Sequence, residues 1–346
     1  MAPIARETRR AEPAWTRLPR ERLLDVRLCD LRLTIEGTWL EGVLDAVRDE
    51  LERKDLGRIK PHFWLSEEWF CPDGVTGIAL PFYLAHPRLM RLERREMLEV
   101  EGGTRRQALR LLRHELGHVL DHAFGLHRRK RWKALFGPSS RRYPDAYRPN
   151  PGSKHYVQHL DDWYAQAHPD EDFAETFAVW LTPRSQWRRR YQGWPALAKL
   201  EYVDELMQEV GGRAPRYRSR QRVDSLPTLR TTLREYYRRK QARFLVGYPS
   251  LYDRELKQIF SSDPAAEGPS AAVFLHRNRT PIRKIVAKWT GEYQFTLDHV
   301  FRLMIGRCKE LGLRADGDPG QMRLDFAILL TVKAMHHLYE REWIPM

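Results

Sequence analysis

The sequence predicts an α+β fold: a small mixed sheet and amphipathic helices in the first part of the chain, and only helices beyond about residue 225. Three observations carry this expectation. Residues 62–70 and 75–84 are rich in aromatic and aliphatic side chains, and the Cys71-Pro72-Asp73-Gly74 break between them reads as a turn joining two strands. Two segments, 104–124 and 169–182, combine helical apolar spacing with end signals. After residue 225, apolar residues recur at helical spacing around 226–244, 251–260, 279–290, 294–311 and 322–341.

Taken in order, residues 1–24 carry Pro, Arg and Glu without periodicity and are expected to form a flexible basic arm. Leu40, Val43, Leu44, Val47 and Leu51 mark a helix ahead of the sheet. Thr104 and Gln107 form a capping box, in which each side chain can satisfy the other end of the first turn, and Gly125 supplies the stop. The helix beginning at Pro169 places proline where a missing N–H costs nothing, and Asp170, Glu171 and Asp172 near its positive end. Residues 261–270, with Pro264, Gly268 and Pro269, read as an internal linker. The resulting division is an arm at 1–24, an α+β domain at 25–225 that carries both end-marked helices, and a helical domain at 226–346.

Composition narrows the class. Of 346 residues, 42% are hydrophobic and 31% charged, with 11 Trp, 14 Tyr and 13 Phe, the profile of a soluble globular protein rather than a disordered one. No apolar run approaches the roughly 20 residues of a membrane span, and the amino-terminal residues lack the apolar stretch of a signal peptide. A cytoplasmic protein with no membrane partner is expected. Cys29, Cys71 and Cys308 are odd in number and far apart, so a metal would be bound by histidines and carboxylates. The 60 Lys and Arg against 46 Asp and Glu, a formal charge of +14, favour acidic partners without choosing among peptide, nucleic acid and anionic surface.

His114-Glu115-Leu116-Gly117-His118 is an HExxH pattern. At about 100° per residue His114 and His118 lie within roughly 40° of each other, so both imidazoles can reach one ion. Ala108, Leu112, Leu116, Val119, Leu120 and Ala123 form the apolar face of the same helix, away from the histidines. A catalytic zinc keeps three protein ligands and one open position, and a carboxylate beside it can act as general base; Glu115 has that place. The third ligand must come from elsewhere. Glu171 and Glu175 share one face of the later helix, opposite Phe173, Phe177, Trp180 and Leu181, and spacing alone leaves both open.

With HELGH followed far downstream by EDFAETFAVWL, and with PFYLAHPRL and GWPALAKLEYVDELM around them, the chain resembles a family of zinc-binding metallopeptidases over roughly residues 30–210. That resemblance implies a zincin-like domain, gluzincin in plan, one Zn2+ per chain, amide-bond hydrolysis of a peptide or protein, and Glu175 as the third ligand. It names no substrate.

The remaining candidates are supporting ones. Asp121, one turn after His118, and Asp172 could orient the metal-bound imidazoles. Tyr164, Tyr156 and His168 lie on the approach to the glutamate helix, and Tyr164 and His168 are taken as catalytic candidates for stabilising a developing oxyanion. An edge strand at 75–84 could hold an extended peptide. The basic cluster 128–133 directly follows the zinc helix and suggests a cleft biased toward acidic substrates. Further clusters at 188–190, 213–222 and 236–240 leave open a DNA-associated protease, and a zinc-stabilised binding protein without activity is a third reading.

Overall fold

The computed structural model describes residues 12–244, 252–263, 265–340 and 344–345. Its elements are α1 (Arg20–Leu24), α2 (Trp39–Glu52), β1 (His62–Ser66), β2 (Gly77–Pro81), α3 (Pro87–Met97), α4 (Arg105–Phe124), α5 (Lys130–Phe136), β3 (Ala146–Tyr147), α6 (Pro169–Leu181), α7 (Trp187–Arg190), α8 (Ala196–Val210), α9 (Leu233–Phe244), α10 (Asp253–Ile259), α11 (Ala271–Thr290), α12 (Gln294–Glu310), α13 (Pro319–Glu340) and β4 (Ile344–Pro345). The fold is α+β, dominated by helices.

The buried residues fall into two large clusters. The first gathers side chains from Trp15 to Tyr237, together with Phe295. The second, from Tyr252 to Ala334, is built by α10–α13. Leu226, Leu233, Tyr236 and Tyr237 pack into the first cluster, so that core runs past the boundary expected at 225. The expected arm also changes. Residues 1–11 lie outside the described residues, but Trp15, Leu23 and Leu24 are buried in the first core, and Trp15 Nε1–H donates to the Leu31 carbonyl at 3.0 Å. Three apolar anchors overrode the polar composition around them. The expected linker at 261–270 is pinned inside the second cluster, since Ser261 and Ser270 both bridge to Arg314. α11 starts at Ala271 with Ser270 as its cap and continues through Pro281, eight residues earlier than the periodicity alone suggests.

The sheet positions the site. β1 and β2 are parallel, with His62 opposite Gly77 and Ser66 opposite Pro81. The chain then passes to the far side of β2, where Phe70 bridges antiparallel to Ala79. β2 is therefore paired on both sides and fully buried, so it is not the open edge expected for 75–84. Beneath it lies α4, with Thr104 Oγ1 accepting from Gln107 N–H at 3.3 Å at its start and Gly125 in the left-handed region, φ 63°, at its end, as the caps predicted.

Candidate metal centre

α4 and α6 cross in close contact because neither has a bulky side chain at the crossing. A Cβ added to Gly117 would lie 2.6 Å from Ala174 Cα, so only glycine lets the helices approach this far. The approach buries α6 on all sides: Glu171, Asp172 and Glu175 are 5%, 1% and 0% exposed. A solvated polar stripe is thereby excluded, and each of these carboxylates needs a partner.

The partners differ. Glu171 Oε2 lies 2.9 Å from His114 Nε2 and 3.3 Å from His118 Nε2, and the two imidazole nitrogens are 3.3 Å apart. Glu175 approaches the same ring from behind, with Oε1 2.8 Å from His114 Nδ1. Its other oxygen, Oε2, accepts the backbone N–H groups of His159 at 3.2 Å and Leu160 at 2.7 Å. Glu175 is thus engaged on a different nitrogen from the one facing His118. The three atoms that converge belong to His114, His118 and Glu171, and Glu175, expected to complete the trio, is not among them.

Electrostatics follow from burial and these contacts. Burial alone would push Glu171 up, but His118 and His114 outweigh it and hold the carboxyl below the usual range. At His114 burial disfavours the imidazolium, while Glu171 and Glu175, one on each nitrogen, raise its pKa. Two ring nitrogens and a carboxylate oxygen within 3.3 Å repel one another unless a cation or proton lies among them. That donor set, two imidazoles and one carboxylate, fits zinc.

Residues 85–189, spanning α4, the intervening loop and α6, match the family described as "Putative zinc-binding metallo-peptidase". The family read from the HELGH and EDFAETFAVWL segments is the one matched. No curated protein and no solved structure matches the chain.

Around the trio, Glu115 is 8% exposed, and burial pushes its carboxyl up while His114 and His118 pull it down. Tyr164 is half-buried with its ring centroid 5.5 Å from that of His114, and burial followed by Glu171 and Glu115 raises its hydroxyl. His168 does not face the trio. It caps α6, its Nδ1 accepting from Asp170 N–H at 3.2 Å while Nε2–H donates to the Arg141 carbonyl at 2.7 Å, so neither nitrogen is free for the catalytic role expected. Its ring supports Tyr143, stacked at 3.7 Å between centroids.

Tyr143 is the residue that sequence reasoning missed. Its hydroxyl donates to Glu171 Oε1 at 3.0 Å, leaving Oε2 toward the histidines. The residue sits in an arginine-rich loop without periodicity, so nothing local marked it.

Two further expectations are corrected. Asp121 does not orient His118: Oδ1 accepts His127 N–H at 2.7 Å and Oδ2 lies 2.6 Å from His127 Nδ1. The left-handed Gly125 turns the chain so that His127 reaches back to it. Asp172 meets no imidazole either, because Lys199 Nζ lies 2.5 Å from its Oδ2. Burial nevertheless pushes Asp172 up to about 7, with Lys199 opposing. Tyr156 lies under the same ammonium, 4.3 Å from its ring centroid, rather than at the trio.

Two of the five cations in the basic cluster after α4 are paired by another element. Arg129 pairs with Glu209 at 2.5 Å, Arg131 with Glu205, and Arg128 Nη1–H donates to Tyr217 Oη at 3.0 Å. Arg129 and Arg131 are thereby turned toward α8 rather than toward the trio.

Proposed function

We propose that the chain is a zinc-dependent peptidase with a zincin-like catalytic domain, its metal held by His114 Nε2, His118 Nε2 and Glu171 Oε2. The convergence of those three atoms on two helices held together at Gly117 is the observation that carries the reading. Zinc bound there would supply a Lewis acid for the scissile carbonyl and lower the pKa of water.

The chain's own residues supply the rest. Glu115, next to His114 on α4 and raised by burial, takes the proton from water at its carboxylate and returns it to the leaving amine. Tyr164, which keeps its proton, is the donor assigned to the developing oxyanion. Glu175 fixes the His114 tautomer by accepting from Nδ1–H, and Tyr143 sets the rotation of Glu171. Among the described residues no helix is long and apolar enough to cross a membrane, and the three cysteines are free, which supports the cytoplasmic location that completes this reading.

The test combines elemental analysis with hydrolysis of a mixed peptide library. Wild type should carry about one zinc per chain. Glu115→Gln should keep that zinc and lose hydrolysis by about 10²- to 10⁴-fold. A chain that binds no zinc, or a Glu115→Gln variant as active as wild type, would sink the proposal.

A further inference from the structure

A stretch of the chain that the metal centre does not use lies over the sheet, on the face to which His62 and Trp64 point. Residues 219, 221 and 223 turn their carbonyls toward the sheet in two-residue steps. Thr76 N–H donates to Ser219 O at 3.3 Å, His62 Nε2 lies 2.9 Å from Gln221 O, and Trp64 Nε1–H donates to Val223 O at 2.8 Å. Because His62 and Trp64 are also two residues apart on β1, and so point to one face, the stretch is extended and follows the strand over that face.

Extended backbone sends alternate residues to alternate sides, and every second residue here is an arginine. Arg216, Arg218, Arg220 and Arg222 are exposed, and of the residues between and after them Tyr217, Ser219 and Val223 are half-buried while Gln221 is exposed. Successive guanidinium groups start from Cα atoms about 6.6–6.8 Å apart. None of the four makes an ion pair among the described residues, in contrast to Arg129 and Arg131. The backbone N–H and C=O groups of Arg218, Arg220 and Arg222 form no hydrogen bonds among the described residues either, so the outer side is an unpaired edge. Arg220 also lines a cavity of about 360 Å³ with Arg48, Lys60 and His62, in which Glu52 is the one carboxylate.

We propose that residues 216–222 are a docking edge for an extended acidic segment of another polypeptide. Such a segment would add as a strand through its main chain and set a carboxylate against each arginine at every second position. Its acidic side chains would repeat with the same spacing as the arginines, which is the complementarity that selects it. Single-stranded nucleic acid fits less well, because binding of that kind relies on exposed rings for base stacking. Tyr217 is covered instead by Arg128 and Arg216, at 5.2 and 5.4 Å from its centroid, and Trp64 is buried. The proposal stands independently of the reading of the metal centre.

The experiment measures anisotropy of a labelled peptide of alternating Glu and Thr with the full chain, beside its Lys-for-Glu counterpart and a single-stranded oligodeoxythymidine. The acidic peptide should bind, weaken as salt is added, and lose affinity when its alternate backbone amides are N-methylated. Arg218→Gln/Arg220→Gln/Arg222→Gln should weaken it by about tenfold or more. Arg188→Gln/Arg189→Gln/Arg190→Gln, an equal charge change on α7, should leave affinity within about twofold. Failure of the acidic peptide to bind, equal losses in the two variants, indifference to N-methylation, or tighter binding of the oligonucleotide at the same arginines would each overturn it.

Discussion

Glu175 and His114 meet through the nitrogen that faces away from the other two converging groups, Oε1 to Nδ1 at 2.8 Å. The arrangement separates holding a metal from orienting the ligand that holds it. Glu171→Ala should abolish stoichiometric zinc binding, whereas Glu175→Gln should retain about one zinc per chain with affinity lowered by about 10- to 100-fold. Elemental analysis and competition with a chromogenic chelator read both, and the opposite ranking would restore Glu175 as a ligand.

Gly117 is expected to be as restrictive as its surroundings imply. Alanine would gain about 0.5–1 kcal/mol of helix propensity but must displace Ala174, whose backbone it would approach at 2.6 Å. Overpacking of this sort costs about 1–3 kcal/mol, so Gly117→Ala should lower the urea midpoint and, by parting α4 from α6, weaken zinc binding. An unchanged midpoint with normal zinc content would show that the two helices can slide apart freely.

The Lys199–Asp172 pair, 2.5 Å apart and nearly enclosed, is expected to be costly to break from one side. Lys199→Met leaves Asp172 buried without a cation and should destabilise the chain by about 3–5 kcal/mol. Adding Asp172→Asn to that variant should recover most of the loss. Denaturant titration of wild type, single and double variants checks the coupling.

A pH dependence follows from crowded carboxylates near the α11–α12 turn. Burial pushes Glu99 from 4.5 to about 7, with Glu101 and Glu292 adding to it against Gln294 N–H and Lys240. Burial, then Glu292 and Asp161, push Asp162 from 3.8 to about 6. In the folded chain these groups hold protons that the unfolded chain has already released. Their contribution to stability therefore falls as pH rises through the interval between the unfolded and folded values, and the loss is complete above about pH 7. Glu99→Gln/Asp162→Asn should melt about 2–4 °C above wild type at pH 8, and the gap should close toward pH 4. A gap of constant size across that range would assign the effect to something other than these charges.

The sequence made some of this legible because the signals were local. Thr104 and Gly125 bracket α4 correctly, since caps act within one turn. His168-Pro169 carried a readable sign as well: with proline first in the helix, the residue before it is the cap, a role at odds with catalysis. The choice between Glu171 and Glu175 was out of reach, because residues four apart share a helix face and spacing cannot say which imidazole nitrogen each will meet. Tyr143 and the Phe70 bridge depend on how distant segments pack. The charge of 128–133 was visible, but not the pairing of Arg129 and Arg131 with Glu209 and Glu205 on α8.

The loop before α6 owes its course to a carboxylate that takes hold of the main chain alone. Since Glu175 Oε2 binds the N–H groups of His159 and Leu160, it is indifferent to what side chain residue 160 carries. Position 160 can therefore drift widely among residue types while the path of the loop stays fixed. Proline is the exception: having no N–H, it would take away the shorter of the two main-chain bonds that steady the carboxylate behind the His114 ring.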